Sequence, residues 1–524
     1  MDGVLDMSFS GVTYGVPCNH GGYTNDQNFD LITPTQLVSP SKNINIHRGG
    51  REKRGGTAKI SDVAVSGTPR IMGIKDFVLA STQFQIFAGS DGKIYKDTTT
   101  VLKTGMSTTT KFHFEVINGI VYIADGVTTP QTWDGVGGAT SNLTATAADW
   151  SGTNQPTVAI LHQRGLSYRS FWLGVNGHRT TLYYSKNNTP GDTNGTGDAG
   201  FLTVPTNDAT GLVAGVEFGN RLIVFGTKRA FILDDTDDDI ATWGMQAAQW
   251  SGGAAHQRLV VKTPNDVLIM TEDGEIYSIQ SVFSYGDYKL ASVVKPAFMD
   301  TWIRENLDLS AIDDFHASYD AELRCVKFFV VRRGETDVDT SINFHIDKPL
   351  EEAWTIHDNQ DHPSGYSASC STSVKTGTTY KIYTGDYSGF LWKLEQNNKS
   401  DDDEGYYGGF RTPALTIDNP RQTKMFRRIR VVTKSEGIFY LQVKWWIDGE
   451  YQGTGQISLA GTGGIYGSGV YDTDVFGDQG LIDDEAIFGN VGKRIQVEVY
   501  NSNANEDFFV SQVMVDLKPL GVRP

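Results

Sequence analysis

The feature that most constrains this chain is a unit that keeps returning: an apolar strand, a glycine turn, and a second strand ending on an aromatic ring. It stands as Asp91-Gly92-Lys93-Ile94-Tyr95, as Asp273-Gly274-Glu275-Ile276-Tyr277, and as Ser388-Gly389-Phe390-Leu391-Trp392. An Asp-Gly pair supplies the positive φ that a tight hairpin turn demands. Around these turns lie further short strands: Phe84–Phe87, Ile120–Ile123, Thr181–Ser185, Leu222–Phe225, Ala230–Leu233, Val267–Met270, Cys325–Val331 and Tyr380–Thr384. Runs such as Leu222-Ile223-Val224-Phe225 are apolar on both faces, as in a sheet buried on both sides; a sandwich strand alternates more strictly.

Grouped by their turns, the strands fall into about seven units, with six or eight within error, at Ile71–Val101, Lys111–Asp134, Thr157–Lys186, Gly215–Asp235, Thr263–Ile279, Ala317–Ile356 and Tyr366–Leu394. Four strands per unit at roughly 40–50 residues is the blade spacing of a β-propeller. The 58 Gly against 16 Pro, with 11% aromatic residues, suit many short strands and not long helices. Phe298–Leu309 is read as one or two helical turns.

After Leu394 the character changes. Residues 397–420 open with the polar, acidic, glycine-rich NNKSDDDEGYYGG and are read as a linker or exposed loop. From 421 to 524 the alternation of Leu441–Trp445 and Ile495–Tyr500 predicts half-exposed antiparallel strands in a separate β-sandwich-like domain. The expected organisation is therefore all-β: an extended N-terminal arm with a basic docking segment (1–59), a β-propeller (60–396), a linker (397–420) and the C-terminal β-sandwich-like domain (421–524). The loop Gly461–Leu481, dense in glycine and aromatic residues, is either mobile or a docking surface.

Charge and motifs narrow the function. A net charge of −17 argues against gripping nucleic acid by its phosphates, although an acidic wall would leave passing DNA mobile. Against that balance, Arg48, Arg51, Lys53 and Arg54 form a basic knot among glycines, read as a candidate inter-subunit docking segment or a solvated loop. The acidic run Asp234, Asp235, Asp237, Asp238 and Asp239 lacks the position-six Gly and the distal Glu of an EF-hand loop, and is read as exposed or channel-facing charge. Asp401–Glu404 is read likewise as a solvated turn. Cys18, Cys325 and Cys370 show neither a disulfide framework nor metal-ligand spacing. The histidines are scattered, and no HExxH, GxSxG or P-loop occurs, so no enzyme activity, metal or cofactor is expected. The N-terminus has acids where a secretory signal carries Lys or Arg, and no apolar run is long enough to span a membrane. Synthesis and assembly in a cytoplasm are expected.

From about Arg48 to Pro524, the Arg/Gly-rich entry, the unit GNRLIVFGTKRAFIL followed by TPNDVLIMTEDGEIYSI, and the closing MFRRIRVV, LQVKWWIDGE, GKRIQVEVYNSN and VSQVMVDLKP segments resemble the tail nozzle proteins of short-tailed bacteriophages, also called tail tubular protein B, hub or DNA-stabilisation proteins. The resemblance implies a structural virion protein of the tail, assembled in the host cytoplasm. Its subunits would form a ring with itself, expected as a hexamer, below the adaptor (head-to-tail connector) ring. That ring would extend the DNA-ejection channel, retain the genome, pass double-stranded DNA without sequence-specific binding, and support tail fibres or spikes. The family contributes no catalytic residues. The other classes left open are a receptor- or carbohydrate-binding tail-tip propeller and, less favoured, a polysaccharide depolymerase.

Overall fold

The computed structural model describes residues 11–520 except 27–31, 48, 80–81, 207–209, 238, 283–286, 360–361, 363, 435–436, 438 and 461–480. Six four-stranded antiparallel sheets follow one another along the chain, over residues 71–104, 113–142, 158–203, 212–247, 260–292 and 316–358. A seventh begins with Ala368–Thr376, Thr379–Asp386 and Leu391–Gln396. Its fourth strand comes from the other end of the sequence: β5 (Gly56–Lys59) pairs with Leu391–Gln396, Trp392 facing Lys59 and Gln396 facing Gly56. These are the blades of a seven-bladed propeller, closed by an N-terminal strand.

The first strand of each blade touches the first strand of the next, and the ring closes where Ala368–Thr376 meets Ile71–Leu79. At that seam the Ser369 hydroxyl donates to the Ile71 carbonyl at 2.6 Å. Apolar side chains fill the gaps between blades. Between the second and third, Tyr122, Trp150, Trp172 and Tyr183 share one cluster; between the third and fourth, Ile160 and Phe171 meet Val224 and Phe231. This two-sided burial is why the blade strands read as continuous apolar runs: Cys325–Val330 is buried at every position. The recurring turns join second to third strands, and Gly92, Gly274 and Gly389 take φ of 73°, 81° and 80°, which only glycine adopts without strain. The helical segment α1 (Met299–Asn306) lies between the fifth and sixth blades and buries Met299, Trp302 and Ile303.

The second body is a two-sheet sandwich, and here the first sixty residues differ from the extended arm expected of them. Four strands precede β5: β1 (Val12–Pro17), β2 (Val38–Lys42), β3 (Ile44–Ile46) and β4 (Arg51–Lys53). β1 and β4 both pair with Phe509–Pro519, with Val12 opposite Leu517 and Arg51 opposite Val510. β2 pairs with Gly408–Arg411 in the other sheet. Between the sheets, Val16 and Ile44 pack with Phe410, Val431, Val443 and Val515. Along Tyr440–Ile447 every second residue is buried, as the alternation required. The segment expected as a linker is also structured: Gly408–Arg411 is a sandwich strand, and Ser400 and Asp401 are buried.

Candidate functional site

The basic knot is interior. Arg51, Lys53 and Arg54 are 0%, 0% and 3% exposed, so they cannot face a neighbouring subunit; Arg48 lies outside the described residues. The cause is the double crossing of the chain. It leaves the sandwich at β4, closes the propeller at β5, and returns after Gln396, so 53–56 and 396–408 run side by side between the two bodies. The glycines that suggested close approach do permit it, but to this same chain: a Cβ on Gly56 would lie 1.9 Å from the Ser400 carbonyl oxygen, and one on Gly50 2.3 Å from that of Val510.

At this joint Arg54 donates to both oxygens of Asp401, at 2.9 and 2.5 Å, and to Asn43 Oδ1 at 3.1 Å. Its guanidinium also lies 4.1 Å from the centroid of Tyr406. Burial opposes its charge, but Asp401 outweighs that and holds the group above the ordinary arginine range. Asp401 also accepts from the Thr57 backbone N–H at 3.0 Å, which places it in the joint and not in a solvated turn. Beside it, Lys327 Nζ meets Glu395 at 2.5 Å, and Asn45 and the Gly55 N–H donate to the same carboxylate. Burial would raise the Glu395 pKa, yet Lys327, His357 and Arg54 hold it well below the usual carboxylate range. The outer strand of the sixth blade completes the contact: Asn43 N–H donates to Ile356 O at 2.9 Å and Lys42 pairs with Asp358 at 2.9 Å.

The ring encloses a channel of about 520 Å³ lined by all seven first strands, from Gly73 in the first blade to Thr372 in the seventh. Its two ends differ. At the ends where the first strands finish, His162 sits between two carboxylates, Nε2 at 3.0 Å from Asp235 and Nδ1 at 3.2 Å from Glu217. Burial alone would lower its pKa, but the two carboxylates raise it to about 9, so it carries a proton at neutral pH. This places part of the predicted acidic loop. Asp235 is buried, not exposed, whereas Asp237 and Asp239 are exposed and Asp234 is half-buried; Asp238 lies outside the described residues. Arg164 donates to the Asp235, Thr236 and Asp237 carbonyls and fixes the loop. Among the described residues no group of three or more His, Cys, Asp or Glu side chains is placed to hold a metal ion.

At the opposite end, where the first strands begin, a second cavity of about 950 Å³ widens from the channel. Arg70, Lys111 and Arg258 converge there on Asp314: Lys111 Nζ lies 2.9 Å from its carboxylate, Arg70 donates to the same oxygen, and Arg258 donates to the Asp313 carbonyl. Sequence reasoning did not single these residues out. They come from four blades and form no linear motif; their shared signal is a charged residue placed one or two positions before a first strand, as in Arg70-Ile71, Lys111-Phe112-His113, Arg258-Leu259-Val260 and Asp314-Phe315-His316.

No family model and no curated protein sequence matches the chain. Among solved structures it is similar to the computationally designed Ika8 protein, at 10% identity and TM-score 0.36, over 64% of this chain and 98% of that one. It is similar to PorZ, a bacterial surface component of the type-IX secretion system of Porphyromonas gingivalis, at 11% identity and TM-score 0.38, over 70% and 44% of the two chains. It is also similar to the β-propeller domain of Myceliophteria thermophila Cps50 (Swd1), at 12% identity and TM-score 0.40, over 64% and 99%. The ring of seven blades rests on the strand pairing of this chain itself.

Proposed function

We propose that this chain is a non-catalytic structural subunit, and specifically a subunit of the tail nozzle ring of a short-tailed bacteriophage. The observation that carries the structural reading is the joint. The chain runs from a sandwich strand, β4, straight into a propeller strand, β5, and the crossing is pinned by the buried Arg54–Asp401 pair and by Asn45 and Gly55 on Glu395, so force applied to one body passes to the other without a flexible hinge. Parts of an assembly that must keep its shape under load need that property. The finer content comes from the resemblance: a hexameric ring below the adaptor ring, tail fibres or spikes attached, and genomic DNA passing without sequence-specific contact.

The propeller's own channel bears on how such a ring would work. About 520 Å³ crossed by side chains from seven strands does not admit a duplex, so a DNA conduit would have to form between subunits. Attachment of neighbours would likewise use the exposed outer edges of blades and sandwich, since Arg51, Lys53 and Arg54 are committed inside the chain. The test is electron microscopy with mass photometry of the purified protein. A six-fold ring whose central opening accepts a duplex supports the reading. A monomer that binds glycans on an array overturns it in favour of a receptor-binding propeller.

A further inference from the structure

We infer that the wide mouth of the propeller channel is a binding site for a small oxyanion, held by Arg258, Lys111 and Arg70. The inference depends on this chain's own channel and not on ring assembly.

Its first support is unmet hydrogen-bonding capacity gathered in one place. Arg258 Nη1, Arg70 Nε and Thr110 Oγ1 are all buried without a hydrogen-bond partner, and all three residues line the same cavity of about 950 Å³. A buried donor left unpaired is costly, and more so when charged, so native interiors keep few of them. The second support is an imbalance of charge. Three cations are grouped around the carboxylate of Asp314, with Asp337 acting on Arg70 from outside the cavity lining and the exposed Asp313 at the rim. Arg179, Lys228 and Glu272 also line the cavity, and the buried Asp125 is occupied by the Ser107, Val127 and Thr128 backbone N–H groups. The wall is therefore net positive in a chain of net charge −17. Burial first, and after it repulsion by Arg258 and Arg70, pushes the Lys111 ammonium down to about 8. Water entering the cavity could satisfy the donors but would not relieve that repulsion. An oxyanion does both, because its oxygens accept charge-assisted hydrogen bonds and its charge offsets the excess.

His256 lines the same cavity and leaves its Nδ1 without a hydrogen-bond partner. His256 donates its Nε2–H to the Ile312 carbonyl at 2.9 Å, and burial drops its pKa to about 3, so it stays neutral and adds no competing cation. Arg70 is braced by stacking 4.2 Å from the centroid of Tyr387 and by a 3.2 Å hydrogen bond to its hydroxyl. Its guanidinium is therefore held in place before any ligand arrives.

Inorganic phosphate is the probe, with sulfate and acetate as comparison anions at matched ionic strength. Phosphate line broadening in ³¹P NMR and a rise in Tm with phosphate over chloride are expected of the full chain, with sulfate acting similarly and acetate more weakly. Arg258→Met should weaken phosphate affinity at least about tenfold, since it removes a charge-assisted donor. Lys111→Met serves as the second variant should Arg258→Met fail to fold, with the same loss expected. Broadening or stabilisation that is unchanged in the folded variants, or absent from the wild-type protein at millimolar phosphate, overturns the site.

Discussion

Two groups of cations, one buried at the joint and one half-buried at the channel mouth, differ in what surrounds them. At the joint, Arg54 and Lys327 each meet a carboxylate that is itself hydrogen-bonded to other groups. At the channel mouth, Arg70 and Lys111 share Asp314, Arg258 meets the Asp313 carbonyl, and donors are left over. Charge density alone therefore does not mark a site: the paired cluster is cement, and the underpaired one has capacity to bind. Taken from the sequence, the basic knot of the joint looked the more functional of the two, because it was contiguous.

The sharpest way to break the comparison is at the joint. Removing one partner of a buried pair strands the other, so Arg54→Met should cost about 3–5 kcal/mol of unfolding free energy, read by guanidinium denaturation. The double variant Arg54→Met/Asp401→Leu should regain part of that, since it strands no charge, although the Thr57 N–H loses its acceptor and Asn43 its donor. At the mouth, by contrast, Lys111→Met should cost little or stabilise, because it relieves repulsion. Equal losses at the two places would remove the distinction.

Acid provides the next test. His316, His345, His357 and His362 are buried, and desolvation holds each below its ordinary value, His316 at about 3 and His345 and His362 at about 4. With folded pKa values depressed, the unfolded chain binds protons first, so their contribution is present above about pH 6.5 and is lost as pH falls toward 4. Each such histidine contributes a slope of up to about 1.4 kcal/mol per pH unit in that window. Glu395, also depressed, adds a further loss below about pH 4.5. Tm measured from pH 7 to pH 5 should fall steeply, and His345→Asn should flatten the slope by about one proton; a pH-independent Tm would contradict this burial.

The smallest effect belongs to the acidic end of the channel. The folded pKa of His162 is raised to about 9, so its contribution is complete below about pH 6.5 and disappears as pH rises through 9. Asp235→Asn should therefore destabilise by about 1–3 kcal/mol at pH 7 and by much less at pH 10. A penalty of the same size at both values would show that the loop, and not the charge, was holding Asp235.

What could be read in advance follows the reach of the interactions. The first six blades are local: the four strands of each lie within about fifty residues, their turns carry glycines with required backbone angles, and their two-sided burial leaves apolar runs on the page. The sandwich strands after residue 421 alternate visibly for the same reason. β3 and β4 are three residues long, too short for any period, and pair with or beside strands at the far end of the chain. Nothing local distinguishes Arg51 in such a strand from Arg51 in a loop. Asp235 and Asp401 were misjudged likewise, because their partners His162 and Arg54 stand 73 and 347 residues away. The channel mouth draws on four blades and becomes visible only when the ring closes.

The closing strand sets an order of events during synthesis. Among the described residues β1 pairs only with Phe509–Pro519, the β3–β4 hairpin joins a sheet only through that same strand, and β5 pairs only with Leu391–Gln396. A ribosome adding about 5–20 residues per second leaves the first strands without a mate for about 25–100 s after they emerge. Throughout that interval six blades can form while the ring stays open and the sandwich edge is bare. The nascent protein is thus most exposed to wrong partners along its first strands, and the emergence of Phe509–Pro519 determines when that exposure ends.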